Sequence, residues 1–146
     1  MDRMQKAEKP MTQFLNRLRP FALLVLRFGI GIIFFTHGWE KVMNLNATMG
    51  MFAQNMGLPG WLGVIAGLLE LVAGVLLIVG LFTRICGLLF TIEMCIAIVA
   101  VHWHKAPWWQ VPNYNLPLAM LVSSFALAVL GPGVVSLDFA FFRNRI

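Results

Sequence analysis

The stretch Pro20–Lys41 reads PFALLVLRFGIGIIFFTHGWEK, and it decides how the rest of the chain is interpreted. Its residues 21–35 are apolar or glycine with a single exception, Arg27. At about 1.5 Å per residue, a helix over Pro20–Trp39 is roughly 30 Å long, which matches the hydrocarbon core of a bilayer. A cation inside such a helix costs roughly 2.5–3.5 kcal/mol, so Arg27 is expected to face a partner rather than lipid.

The composition of the whole chain also indicates a membrane protein. Of its 146 residues, 60% are hydrophobic and 12% are charged, and the mean hydropathy is +0.81. A soluble globular domain carries about twice that fraction of charge, so the composition excludes one. We predict an all-α membrane protein, a bundle of four transmembrane helices with short interfacial helices at both termini.

The chain divides into three predicted parts. Residues 1–19 form a basic N-terminal interfacial segment, residues 20–138 form the transmembrane domain, and residues 139–146 form a basic aromatic tail. Proline is tolerated in the first turn of a helix, so the second span is expected to start at Pro59. The four expected spans cover residues 20–39, 59–82, 85–101 and 116–130.

Lysine and arginine predict the orientation of these spans. The N-terminal segment has five, the turn between spans two and three has Arg84, and the tail has two, whereas the other side has only Lys41 and Lys105. By the positive-inside rule, both termini are predicted to be cytoplasmic. The formal net charge of +5 is therefore a topology signal, and no nucleic-acid partner is expected.

Two carboxylates are the candidate partners of Arg27. Glu70 lies in the middle of span two and Glu93 in the middle of span three. Counted from the cytoplasmic ends, Arg27, Glu70 and Glu93 lie at depths of roughly 10, 18 and 12 Å, so we predict that they meet near the midplane as a ligand or proton site. Since one cation faces two acids, one carboxyl is expected to hold a proton. The alternative is a buried ionic staple that only fixes helix register.

A second polar cluster is predicted at the outer membrane face. Residues 37, 40 and 41 share one helix face because they are three and four positions apart. The predicted outer-face cluster is His37, Trp39, Glu40, Lys41, His102, His104 and Asn115. Imidazole and thioether ligands suit a soft metal such as Cu(I), so copper binding is one hypothesis. Its candidate ligands are His37, His102, His104, Met49 and Met51. The alternative is that the histidines bond to loops and the methionines fill apolar gaps.

Several motifs resemble the DoxX family, in order along residues 20–140. They are LRFGIGIIFFTHGWEK at Leu26–Lys41, MGLPGW at Met56–Trp61, LLELVAGVLLIVGLFTR at Leu68–Arg84 and GPGVVSLD at Gly131–Asp138. The resemblance implies a four-helix bacterial inner-membrane protein. It also implies an association with redox chemistry, since related proteins are linked with thiosulfate–quinone oxidoreduction, with membrane redox complexes and with copper-responsive operons. The positions that match the family are Arg27, His37, Gly38, Lys41 and Glu70.

The leading functional hypothesis is a redox-associated membrane subunit. It would bind a quinone-like or other small polar ligand beside Arg27, Glu70 and Glu93, and the carboxyls would take up protons during reduction. The resemblance to the DoxD branch implies a membrane oxidoreductase subunit as one option, but it does not assign a reaction. The alternatives are a non-catalytic scaffold for membrane or redox proteins and copper handling at the outer face. The glycine stripes suit packing within one chain or between copies, which leaves a homo-oligomer open.

Overall fold

The computed structural model describes residues 10–102 and 115–142, and all the regular structure in these ranges is helical. The helices are α1 (Pro10–Met43), α2 (Leu45–Asn55), α3 (Gly60–Val79), α4 (Thr83–Ala97), α5 (Asn115–Leu130) and α6 (Leu137–Phe142). Along the chain, the short helix α2 connects α1 to α3, and a π-helical segment, Ile98–His102, extends α4.

Helix α1 is longer than the bilayer core is thick. It begins at Pro10 and continues through Pro20 without a break, so its 34 residues correspond to about 51 Å. The segment expected to form a separate surface helix is therefore, from Pro10 onwards, the first part of α1. This continuity means that Pro20 does not mark the start of the helix.

Helices α1 and α3 run antiparallel and touch through glycines. A Cβ atom on Gly38 would lie 2.8 Å from the carbonyl oxygen of Gly67, and one on Gly74 would lie 3.0 Å from that of Gly31. Any side chain at these positions would push the backbones apart, which is the usual reason for small residues between membrane helices. The contacts fix the register of α1 against α3.

Aromatic stacking joins this helix pair to α4. The rings of Phe34 and Phe90 stack with centroids 3.6 Å apart and an interplanar angle of 5°. Around them lies the buried core of the bundle, to which α1, α3, α4 and α5 contribute. Its members are Ile30, Phe34, Ala73, Leu77, Cys86, Phe90, Met120 and Leu127.

The α3–α4 turn is held by the C-terminal part of the chain. Gly80 ends α3 in a left-handed conformation, with φ of 75°, which glycine adopts without strain. The carboxylate of Asp138 accepts hydrogen bonds from the backbone N–H groups of Phe82 and Thr83, at 2.7 and 2.8 Å. The backbone N–H of Asp138 in turn donates to the carbonyl of Gly80. The start of α6 therefore lies at the same end of the bundle as Gly80.

The helices fit a membrane in length and composition. Three of them, within Met11–Met43, Gly60–Val79 and Thr83–Ala100, are long and apolar enough to cross a bilayer, and Asn115–Leu130 is a shorter apolar helix. The large apolar side chains on the outside of the bundle, such as Ile32, Val72 and Phe125, are about half exposed. The prediction of an all-α membrane bundle is confirmed.

Candidate functional site

Lys41 and Glu70 form an ion pair between α1 and α3. The Nζ atom of Lys41 lies 2.5 Å from Oε1 of Glu70. A Cβ atom on Gly67, one turn before Glu70, would lie 2.9 Å from Cβ of Lys41, so the two backbones are close at this level. Only 3% of the Glu70 side chain is exposed, against 21% of the Lys41 side chain. The carboxylate is thus the member of the pair with the least access to water.

Glu93 joins this pair from α4. It interacts electrostatically with both Glu70 and Lys41. The Oε2 atoms of Glu70 and Glu93 are both buried, and neither has a hydrogen-bond partner among the described residues. We call Lys41, Glu70 and Glu93 the acid–lysine cluster. A proton held between the two acids would give both oxygens a partner and would balance the single positive charge of Lys41.

A cavity of about 290 Å³ opens beside the acid–lysine cluster. All three cluster residues line it, and the rest of its wall is apolar. Helix α2 contributes Phe52, whose ring packs against Gly63, and so forms one side of the cavity. The other apolar wall residues are Met56, Leu58, Leu62, Ile65, Ala66, Leu69, Leu89, Ile92, Met94, Ile96 and Ala97.

A smaller cavity of about 150 Å³ also borders the ion pair. It is lined by Lys41 and Glu70, and by His37 from α1. Its remaining wall comes mainly from α1 and from the start of α5, and consists of Ile33, Phe34, Met94, Ala97, Leu116, Pro117 and Met120. The Lys41–Glu70 pair therefore borders both cavities.

The predicted contact between Arg27 and the two carboxylates is wrong. Arg27 is buried, with 2% exposed, but its guanidinium donates hydrogen bonds to the backbone carbonyls of Pro132 and Val135, at 2.7 and 2.8 Å. Asp138 is the acid that interacts with it electrostatically. The reason is the register, because Arg27 lies opposite Gly80, about 15 Å along α3 from Glu70.

The predicted outer-face cluster is only partly brought together. His37 is exposed and lines the smaller cavity together with Lys41, whereas Trp39 and Glu40 line a separate cleft with Phe35 and Thr36. Asn115 is exposed at the start of α5. The structure thus places His37 and Lys41 at the buried site and directs Trp39 and Glu40 away from it.

The copper hypothesis depends mainly on residues that the structure leaves undescribed. His104 lies outside the described residues, and for His102 only the backbone is described. Met49 and Met51 are exposed on α2. Within residues 10–102 and 115–142, no group of three His, Cys, Asp or Glu side chains could hold a metal ion. Copper binding stays a prediction.

Sequence reasoning missed the role of Lys41 in the buried site. Lys41 was assigned to the outer face because it ends the apolar stretch of α1. Aligning the glycine stripes would not have paired the two residues, because residues that follow Gly38 and Gly67 by three positions diverge when the helices run antiparallel. Lys41 instead faces Gly67, and its long side chain reaches Glu70, one turn further along α3.

The structure is an apolar helical bundle that holds an ion pair and a further acid. These features are those of a multi-pass membrane protein with a buried polar site. The chain belongs to the DoxX family, because the family model named DoxX matches residues 22–103, from α1 to the end of α4 and just beyond. This match includes all three residues of the acid–lysine cluster.

Relatives of similar length support the assignment. The chain is 34% identical over 131 residues to a protein of Bacillus subtilis strain 168 named "Putative oxidoreductase CatD", covering 90% of this chain and 95% of the relative. It is 29% identical to the inner membrane protein YphA of Escherichia coli K12, covering 82% and 90% of the two chains. It is also 27% identical to the inner membrane protein YqjF of the same organism, covering 85% and 95%. No solved structure is significantly similar to the chain.

Proposed function

We propose that this protein is a redox-associated subunit of the bacterial inner membrane that binds a quinone-like ligand in the larger cavity. The observation that carries the proposal is an apolar cavity with an acid–lysine cluster in its wall. Its volume, about 290 Å³, is at the lower end of the range of roughly 300–1,000 Å³ that small-molecule pockets occupy. That size suits a ring-shaped head group whose apolar tail extends out of the cavity.

The position of the cavity favours a ligand that comes from the lipid. Ile65 on α3 and Ile92 and Ile96 on α4 line it, and each is about half exposed on the apolar outside of the bundle. A water-soluble metabolite would have to cross this apolar surface, whereas a lipid-dissolved quinone is already there. The cavity chemistry therefore supports a membrane-partitioned ligand.

The acid–lysine cluster supplies the polar contacts that a quinone needs. The Lys41 ammonium has three donors, of which Glu70 accepts one, so it has donors left for a quinone oxygen. Reduction of a quinone consumes protons as well as electrons. In this proposal a redox partner protein supplies the two electrons, and Glu70 and Glu93 deliver the two protons one after the other, binding a new proton between the two transfers. Arg27 has no part in the ligand site and instead holds the C-terminal segment.

The proposal also includes an orientation. The Arg27 side chain and the start of α6 lie at one end of the bundle, and we assign this end to the cytoplasm because Arg84 lies there and Arg17 and Arg19 precede Arg27 on α1. The name of the relative CatD and the names of the inner membrane relatives are in agreement with this function and location.

Binding of radiolabelled decylubiquinone to the protein in lipid nanodiscs tests the proposal. Ile65→Trp fills the cavity from its lipid side and is expected to weaken binding strongly. Val72→Trp is the matched control, because Val72 is as exposed as Ile65 on the same helix but does not line the cavity. Glu93→Gln keeps the shape of the side chain and is expected to weaken binding about tenfold, the loss of roughly one charge-assisted hydrogen bond.

The binding data also separate this function from a scaffold role. A scaffold would bind partner proteins without a quinone site, so Ile65→Trp and Val72→Trp would then have equal effects on decylubiquinone. Equal binding by these two folded variants contradicts the proposed ligand site.

A further inference from the structure

The two cavities meet at the acid–lysine cluster but differ in chemistry. Both are bordered by Lys41, Glu70, Met94 and Ala97. The larger cavity adds Glu93 and otherwise apolar residues, whereas the smaller one adds His37. A ligand in the larger cavity and water in the smaller one would thus both reach the same ion pair.

The smaller cavity is suited to water. Its volume of about 150 Å³ has room for several water molecules, each of which needs two to four polar partners to be stable. Among its described lining residues, His37, Lys41 and Glu70 provide such partners. Because Oε2 of Glu70 is buried without a hydrogen-bond partner among the described residues, a water in this cavity would also satisfy a polar atom that is costly to leave alone.

The charges at the cluster require a proton. The titratable residues that line either cavity, among those described, are His37 and Lys41 from α1, Glu70 from α3 and Glu93 from α4, and none come from α2 or α5. One lysine cannot balance two buried carboxylates, and an uncompensated charge in a membrane interior is expensive. A proton shared by the two acids therefore belongs to the resting state of the cluster.

That proton cannot easily come through the larger cavity. The wall of this cavity consists of apolar side chains wherever it reaches the lipid side, and a proton needs polar groups or water to move along. His37 is exposed and is the titratable group at the other cavity. Imidazole changes its charge near neutral pH, which makes histidine the usual side chain for passing protons between water and a buried acid.

We propose that the smaller cavity is a proton pathway, with His37 at its solvent side and the Glu70–Glu93 pair as its acceptor, separate from the ligand's path through lipid. His37 takes a proton from water, passes it through water in the cavity to Oε2 of Glu70, and takes up another. The pathway rests on the proposed function in one respect, since the bound quinone is what consumes the stored proton. It assigns proton uptake to the side of the membrane opposite the chain termini.

Infrared spectroscopy of the protein in lipid bilayers tests the pathway without any ligand. The carbonyl stretch of a protonated carboxyl group reports the stored proton, and transfer from H₂O to D₂O gives the rate at which it exchanges. Glu93→Gln and Glu70→Gln are expected to remove or shift this band, which assigns it. His37→Phe is expected to slow its exchange about 10²-fold, the lower end of the effect of a positioned acid–base group.

Two matched controls accompany these variants. Trp39→Phe changes an exposed aromatic residue on the same helix that lines neither cavity, so exchange at the wild-type rate is expected. Leu116→Trp fills the smaller cavity at an exposed position and is expected to slow exchange, whereas Ile65→Trp in the larger cavity is not. Amide exchange in the same spectra shows that each variant is folded.

The outcomes separate this inference from the proposed function. Exchange at the wild-type rate in both His37→Phe and Leu116→Trp, with the carboxyl band present, overturns the pathway. So does a carboxyl band that neither glutamine variant changes, because no proton is then stored at the cluster. Neither result depends on decylubiquinone, whereas normal decylubiquinone binding by Ile65→Trp contradicts only the ligand site.

Discussion

Replacing Lys41 by methionine is expected to destabilise the bundle by about 3–5 kcal/mol, the usual cost of removing one partner from a buried ion pair. Methionine keeps an unbranched apolar side chain of similar length, so the change removes the charge and leaves most of the packing. The upper part of the range applies because only 3% of the Glu70 side chain is exposed, and water in a cavity hydrates a carboxylate but does not supply the lost positive charge.

Replacing Glu70 by leucine should reduce the stability less than replacing Lys41 by methionine, because the two side chains differ in exposure. In Glu70→Leu the remaining charge belongs to Lys41, whose side chain is 21% exposed and flexible enough to carry its ammonium towards the interface. We expect a loss of roughly 1–2 kcal/mol, within the range for an unsatisfied polar group. The double variant should be less destabilised than the sum of the two, by about 0.5–3 kcal/mol, since neither member of the ion pair is then left without the other.

Unfolding in SDS, followed by circular dichroism in mixed micelles, gives the free energies for this cycle. Equal losses in Lys41→Met and Glu70→Leu, or strict additivity in the double variant, would refute a buried pair whose carboxylate depends on its lysine.

Three further predictions concern the packing that positions the site, and the same unfolding assay measures all of them. Gly38→Ala should destabilise the bundle by about 1–3 kcal/mol because its Cβ would overlap the backbone of α3, while Gly29→Ala, which meets nothing within 4 Å, should be neutral or stabilising by up to about 1 kcal/mol. Equal effects of these two alanines would contradict the close contact. Arg27→Met should cost about 3 kcal/mol or more, because two buried hydrogen bonds to backbone carbonyls are lost; wild-type stability would contradict it. Asp138→Ala removes the cap of α4 and should cost about 1–2 kcal/mol, whereas an unchanged midpoint would show that the cap is not needed.

The two acids of the buried site could be found from the sequence, but Lys41 and the pairing of the charges could not. Intramembrane charges are rare and costly, so Arg27, Glu70 and Glu93 stand out in any apolar chain. The two terminal nitrogens of Arg27, however, donate to the carbonyls of Pro132 and Val135. Every residue carries a backbone carbonyl, so no side-chain pattern indicates that a cation will use one.

The pairing of Lys41 with Glu70 depended on the register of two helices. One face of α1 carries Arg27, Gly31, Gly38 and Lys41, because their spacings follow the helical period. Periodicity therefore places both cations on the same face and does not indicate which of them pairs with an acid of α3. The length of the apolar stretch did not decide between them either, since α1 is about 51 Å long and a bilayer core is roughly 30 Å thick.

By itself, the sequence determined the helices, their membrane environment and the faces on which glycines and charges lie, because these follow from local periodicity and from the cost of exposing polar groups to lipid. Only the tertiary structure decided which charges meet and where cavities remain. Its register is fixed where glycines of α1 and α3 allow backbone contact, as between Gly38 and Gly67, and such a contact depends on residues far apart in the chain. Hydrophobicity cannot supply that information, since an apolar side chain is equally stable against lipid and against another helix.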